Sequence, residues 1–472
     1  MGAIRGIAAV LLMFVAAVGS AQDCVTEGRV ISTRVSSPNL VNGPIAWSGS
    51  VLGLAKTQEG LSGALWFATY DGSLNQLTAD RLIASDARAI IATAWTGEEF
   101  GVIFRTQNQT LKLQRLTSGG EPIGAPVLIT PSKTVYVADE IDAVWSNALD
   151  AYVVARAIST GRDEGLWITI LEQDGTQRSD NKAPVNLTQQ SELDLTVSDT
   201  GVIGAFFINV NGSLAFARAE PGGIISVRSL GLTGTDIEAA AHGSLFVVTR
   251  MVPNVDGDGT IRWFVVDSAA QFVRQDALLI SPEGDDVIPL GLLSTGDELA
   301  LTYAAVARRD QPFDHTYRLR RFAIDGTFIG DTDFSASSSS QARAVTEHPI
   351  VWTGTSYLSA PVRESSDRLN SFLLRYCPLR AEIVSPSRRV FVGQTVTFSA
   401  VASGGVPVYT YSWVFPSEIG PKTGQSLDRQ FNRTGTYTVT LTVTDFAGTQ
   451  VTRAIEIEVV VETRKTRAVR RH

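Results

Sequence analysis

The residues best equipped for chemistry carry side-chain oxygens. Asn254, Asp256 and Asp258 stand at alternate positions of Asn254-Val255-Asp256-Gly257-Asp258-Gly259-Thr260. Calcium takes oxygen ligands at that spacing, so the segment is a candidate calcium loop. The twelfth position, where such loops carry a chelating acid, is Val265. Asp-Gly also closes tight hairpins without any metal. A second group of acids falls near expected strand ends: Glu98, Glu99, Asp139, Glu140, Asp142, Asp285 and Asp286. Two of them facing across a pocket would have the means to hydrolyse a glycoside, one as acid and one as base or nucleophile. Nothing in the spacing brings any two together, and solvated turn carboxylates are the default reading.

Other catalytic patterns are missing. The four histidines, His242, His315, His348 and His472, form no His-Glu-x-x-His zinc motif. There is no Gly-x-Ser-x-Gly nucleophile turn and no phosphate-cradling glycine loop. His242 and His348 read as hydrogen-bonded strand residues. The segment Arg308-Arg309-Asp310-Gln311-Pro312-Phe313-Asp314-His315 is a decorated loop of the kind that carries binding residues on a rigid scaffold. Cys24 and Cys377 are the only cysteines, and two cysteines in an exported chain are expected to pair.

Export is read from the N-terminus. Arg5 precedes an apolar run from Ile7 to Val18, and Gly19-Ser20-Ala21 offers small residues for cleavage, so residues 1–21 read as a signal peptide. That run is too short to span a bilayer, and no later stretch in the mature chain reaches membrane-spanning length. The chain has 472 residues, 44% of them apolar and 19% charged, which suits folded domains. A net charge of −8 argues against a nucleic-acid partner. The basic tail, residues 462–472, reads as a solvated terminus.

The elements that must position these residues repeat. Trp47-Ser48-Gly49, Trp95-Thr96-Gly97, Trp145-Ser146-Asn147 and Trp352-Thr353-Gly354 each join an incoming apolar strand to an outgoing one. Three further copies without the tryptophan fall near Val197, Ala241 and Ser294. In the second copy the expected strands are Ile90–Trp95, Phe100–Arg105, Leu111–Leu116 and Ile123–Ile129. Four antiparallel strands per unit of about 50 residues describe a propeller blade, and seven copies predict a seven-bladed β-propeller; six or eight blades also fit the degenerate copies. The last copy stops at Cys377-Pro378 without a fourth strand, while Arg29-Val30-Ile31-Ser32-Thr33 is a lone strand ahead of the first copy. The N-terminal strand is therefore expected to complete the last blade, closing a propeller over residues 24–378, with Cys24 beside Cys377 as a latch. The Ser-x-Asp-x-Gly-x-Thr-Trp repeat of sialidase-like propellers is absent.

Composition shifts after Cys377. Strict alternation in Gly435-Thr436-Tyr437-Thr438-Val439-Thr440-Leu441-Thr442-Val443 means one buried and one wet face, and such strands around Trp413 make a β-sandwich over residues 381–461. With Gly393-Gln394-Thr395-Val396 and Tyr411-Ser412-Trp413, this stretch resembles a PKD domain, the immunoglobulin-like module of many exported bacterial proteins. Val414-Phe415-Pro416-Ser417 replaces the acidic, glycine-rich turn that usually follows the family's tryptophan. The resemblance implies a spacer or adhesion unit. The repeat region also resembles exported bacterial β-propeller proteins with Trp-Thr-Gly motifs. The expected protein is all-β, secreted, periplasmic or at the cell surface, and leans away from catalysis. Its propeller loops would bind an envelope polysaccharide or a protein. The alternative is an exported carbohydrate hydrolase with paired carboxylates in the propeller channel.

Overall fold

The computed structural model describes residues 27–461, except 34–39, 59–62, 130–139, 160–162, 188–191, 222, 256–257, 282–284, 308–314, 334–349, 361, 366–367, 386, 406–407, 417–419 and 447. The expected signal segment, Cys24, Asp139, Asp256, His348, His472, the Arg308–Asp314 loop and the basic tail lie outside the described residues. Among the described residues every regular element is a β-strand. Two compact units result, Glu27–Arg375 and a second that runs from Tyr376.

In the first unit six four-stranded antiparallel sheets follow one another, at residues 40–84, 87–128, 140–183, 193–233, 235–280 and 285–333. The seventh sheet is drawn from both ends of the unit. Its strands run from Ile350–Trp352 through Tyr357–Ser359 and Arg368–Tyr376 to Glu27–Thr33, with Val362–Ser365 also paired to Arg368–Tyr376. The N-terminal strand lies antiparallel in that sheet, Glu27 opposite Arg375 and Thr33 opposite Asn370. The first strand of each sheet packs against the first strand of the next, and Ile350–Trp352 packs against Leu40–Trp47 to complete the circle. This is a closed β-propeller of seven blades.

The recurring Trp-(Ser/Thr)-Gly motif is hairpin chemistry. In the second blade Thr96 N donates to Glu99 O at 3.0 Å, while Thr96 Oγ1 accepts from the amides of Glu98 and Glu99. Ser48 and Thr353 cap their turns the same way, and Gly49, Gly97 and Gly354 take φ near +94°, +99° and +93°. The tryptophan faces an aromatic ring directly across the hairpin in three blades. Trp95 meets Phe100, Trp145 meets Tyr152 and Trp352 meets Tyr357, with centroids 4.7, 4.8 and 4.4 Å apart. The sixth blade lacks the tryptophan but keeps Thr295-Gly296 and the same cap. One expectation needs correction. The fourth strand of the second blade is only Val127–Leu128, not 123–129, because Pro122 and Pro126 have no amide to donate.

The larger hydrophobic clusters of the first unit each span two blades. The strand Ala151–Ile158 is buried at every position, and Val153, Ile168 and Ile170 pack with Ile203, Ala205 and Phe207 of the next blade. A sheet buried on both faces cannot stand alone, so each blade is stabilised by its neighbours. The approach is close: a Cβ on Gly101 would sit 1.8 Å from Tyr152 Oη.

Within three blades a buried cation ties the second strand to the fourth. Lys56, Arg156 and Arg250 hold equivalent places on their second strands and reach Asp80, Asp180 and Asp276 at 2.5, 2.7 and 2.9 Å. Arg156 is fully buried and also donates to Thr169 Oγ1 at 3.0 Å. Arg156→Ala is expected to cost about 3–5 kcal/mol, because it strands Asp180, whereas Asp180→Leu combined with Arg156→Met should cost far less. Urea unfolding of the two variants checks this.

The second unit is a two-sheet sandwich. Strands Arg380–Val384, Thr395–Ser403 and Ser426–Gln430 form one sheet, and five strands centred on Gly435–Thr444 form the other. Trp413 is fully buried between them against Phe398 and Phe415, and its Nε1 donates to Gly424 O at 2.8 Å. Val439, Leu441 and Val443 point inward at the alternate positions the sequence predicts.

Candidate functional site

A propeller presents a central channel and two loop faces. The channel holds a cavity of about 390 Å³ lined by the first strand of every blade, from Pro44 of the first to Ile350 of the seventh. Such strands have one edge with no neighbouring strand to pair, and buried amides need acceptors. Side chains supply them. In the fourth blade Glu192 Oε2, Asp194 Oδ2 and Thr196 Oγ1 accept from the amides of Ile237, Ala239 and Ala241 in the fifth, at 3.2, 2.6 and 3.0 Å. Each acceptor lies 45 residues before its donor. One blade earlier, Asp142 Oδ2 accepts from Leu195 N at 2.7 Å and its Oδ1 from Ala143 N at 2.7 Å.

Asp142 and Asp194 are also hydrogen-bonded to each other. Two carboxylates in contact must share a proton. Burial raises both, Asp194 further because the charges of Glu238 and Asp142 bear on it, so Asp194 holds the proton and donates it to Asp142. Both side chains touch a narrow water-accessible channel yet have protein on all sides, and desolvation dominates. Glu192 is pushed up to about 7, first by burial and then by the charge of Asp236. Among the described residues no lysine or arginine lines the cavity.

Of the acids singled out in the sequence, the structure brings Glu140 and Asp142 into this channel. Glu98 is exposed on a turn. Glu99 is buried in a two-point pair with Arg115, at 2.6 and 2.9 Å. Asp286 Oδ1 accepts from Gly259 N at 2.6 Å, and the side chain of Asp285 lies outside the described residues. Glu192, Asp194 and Glu238 were missed. The signal for them was available: Glu140-Ile141-Asp142, Glu192-Leu193-Asp194 and Asp236-Ile237-Glu238 recur in phase with the blades.

In the candidate calcium loop Asn254 Oδ1 accepts from Asp258 N at 2.9 Å and Asn254 N donates to Asp258 O at 2.7 Å. These two described residues close a hairpin turn on each other. Among the described residues no three acids, histidines or cysteines gather in a metal-binding group. His242 bonds Ser294 Oγ at 2.9 Å, tying the fifth blade to the sixth. Cys377 is fully buried.

Antiparallel strands send the first-to-second and third-to-fourth connections to one face and the second-to-third and fourth-to-first connections to the other. Short and long connections occur on both: the first face carries the tight turn 96–99 and the longer link 117–126, and the second carries 209–212 and the single residue Gly234.

Comparison with known families decides the identity of the C-terminal sandwich, for residues 380–461 match the PKD domain model. They form a PKD domain. No curated protein matches the chain. Solved structures similar to the chain include a lectin, a β-propeller domain and a dehydrogenase-like protein. The SapL1 lectin, solved with α-methyl fucoside, is 14% identical with a TM-score of 0.40, over 64% of this chain and 98% of that one. The β-propeller domain of the trilobed protease from Pyrococcus furiosus is 7% identical with a TM-score of 0.44, over 71% and 95%. A quinoprotein alcohol dehydrogenase-like protein from Bacteroides thetaiotaomicron is 10% identical with a TM-score of 0.42, over 63% and 66%. Among the described residues no helix is long and apolar enough to cross a membrane.

Proposed function

We propose that this chain is an exported bacterial binding protein, non-catalytic, whose propeller holds a polysaccharide or protein of the cell envelope while the PKD domain acts as spacer. One observation carries the reading. The channel acids Asp142 and Asp194, and Glu192 close to Asp194 in sequence, accept hydrogen bonds from backbone amides of the neighbouring blade. Acids committed to holding strands together are poorly placed to serve substrate. Glycosidase pairs also stand about 5–9.5 Å apart, whereas Asp142 and Asp194 are in hydrogen-bond contact. The propeller loops are the recognition surface in this reading. A disulfide between Cys24 and Cys377 belongs to the same proposal. The pairing of Glu27 with Arg375 supports it by bringing the flanking segments to one end of one sheet.

Co-sedimentation of the purified protein with insoluble envelope polysaccharide tests the function. Retention without release of reducing ends is expected, and Asp142→Asn with Asp194→Asn should leave retention unchanged. Release of reducing sugar that Asp194→Asn abolishes would instead establish the hydrolase, the reading favoured by the shared proton.

A further inference from the structure

The seams between blades are filled in different ways. In five blades the third-to-fourth turn brings a described residue of positive φ against the preceding blade. In the first blade this is Leu74, fully buried against Leu358 and Leu373 of the seventh. In the second, third and sixth it is Gly120, Gly175 and Gly326, so close that an added Cβ would meet Phe67, Val127 and Trp263 at 3.0, 2.9 and 2.6 Å. In the fifth it is Ala270, at φ +58°. A methyl group neither reaches across as leucine does nor permits the approach of glycine. Here the seam holds a groove of about 410 Å³, within the range of small-ligand sites.

The groove has a definite chemistry. One wall is a single face of the ribbon Ser213–Ala219 and Ser226–Thr233, where Phe216 stands opposite Arg228 and Arg218 opposite Ser226. The arginines are diagonal neighbours, within reach of one ligand group. The other wall is the turn Ser268–Ala270. Among the described residues no acid lines the groove. The acids nearby are engaged: Glu220, on the surface, pairs with Arg218, and Asp267 Oδ1 accepts from the amides of Ala269 and Gln271. Arg228 Nη1 donates to Ala269 O at 2.9 Å, which fixes its guanidinium across the seam. A guanidinium has five N–H donors, so both arginines keep donors for a ligand. The exposed Arg218–Glu220 pair is weak enough for a ligand carboxylate to displace.

We propose that this groove, between the fourth and fifth blades, binds a carboxylate-bearing sugar unit of a polysaccharide. Arg218 and Arg228 clamp the carboxylate, a planar fork matched to guanidinium geometry. Ser226 and Ser268 face the sugar hydroxyls. The proposal rests on the polysaccharide-binding reading above and adds the acidic character of the ligand and its place on the ring.

Calorimetric titration of the full chain with trigalacturonate is the test. Wild type binds, and Arg218→Ala and Arg228→Ala each weaken binding by about tenfold or more, the worth of one charged hydrogen bond. The methyl-esterified trisaccharide does not bind, and inorganic phosphate at equal concentration does not compete. Unchanged binding in either alanine variant, with an unchanged melting temperature, overturns the proposal. So does failure of wild type to bind, or equal competition by phosphate, which marks a general anion site. If retention on envelope polysaccharide persists in those cases, the binding function stands and only the groove is lost. If both fail, so does the function.

Discussion

Deleting residues 1–39, and with them the strand Glu27–Thr33, is expected to convert a folded ring into an open, self-associating one. The deletion removes the partner of Arg368–Tyr376 along the register from Glu27–Arg375 to Thr33–Asn370. It leaves a sheet edge with unpaired amides and carbonyls, the surface that templates aggregation. Size-exclusion chromatography should show oligomers. A synthetic peptide of residues 24–33, supplied in excess, should restore the monomer. A truncated chain that stays monomeric with an unchanged melting temperature would show that closure contributes little. The proposed Cys24–Cys377 bridge predicts a related but smaller effect. Cross-linking so long a loop is worth at most about 6 kcal/mol. Cys24→Ser should lower the melting temperature by roughly 5–10 °C, and reductant should have the same effect on wild type and none on the variant.

The second large effect is on pH dependence. Glu192, Asp142 and Asp194 all have carboxyl groups raised in the folded state. A raised carboxyl binds more protons folded than unfolded, so stability falls as pH rises. For Glu192 the loss begins near the ordinary value of 4.5 and is complete above about 7. Discounted for its water contact, its share is about 1–2 kcal/mol. Asp194 lies well above its ordinary range, so its loss continues to higher pH. Asp71, Glu172, Asp174 and Asp325 are lowered and oppose this on the acid side, where stability falls as they protonate. The expected melting curve is highest in mildly acid buffer and declines through pH 8.5. Asp194→Asn keeps an oxygen for the Ala239 amide and an N–H for Asp142 but carries no charge. It should flatten the alkaline decline and raise the melting temperature at pH 8.5. Asp194→Ala should destabilise at every pH by about 1–3 kcal/mol, since the Ala239 amide then has no acceptor. A decline as steep in Asp194→Asn as in wild type would remove the channel acids as its cause.

Most of the ring was legible because its determinants are local. Trp-Thr-Gly marks a hairpin through a hydroxyl cap, a glycine of positive φ and a cross-strand aromatic pair, all within a few residues. The missing fourth strand after Tyr376 and the spare strand at Arg29–Thr33 could be matched by counting. The channel resisted for a physical reason. Acids alternating with apolar residues normally describe a strand with one face in bulk water, and Glu192-Leu193-Asp194 reads so. Here the polar face meets a narrow channel and the amides of another blade, a setting that depends on ring closure. Asp142 entered the sequence candidates without its partner, because Asp194 lies one whole blade away. Lys56, Arg156 and Arg250 are a clearer omission, since their repeat at one place in the second strands of the first, third and fifth blades is visible once the strands are aligned.

The ladder from Glu192, Asp194 and Thr196 to Ile237, Ala239 and Ala241 runs in strict step, every rung the same number of residues long. One residue inserted anywhere between those strands' facing positions, if it shifted either strand, would turn each acceptor toward the wrong neighbour at once. The fourth and fifth blades are thus a matched couple. A genome can lengthen many repeat proteins by copying a unit, but a duplicate slipped between these two would have to bring both halves of the match with it.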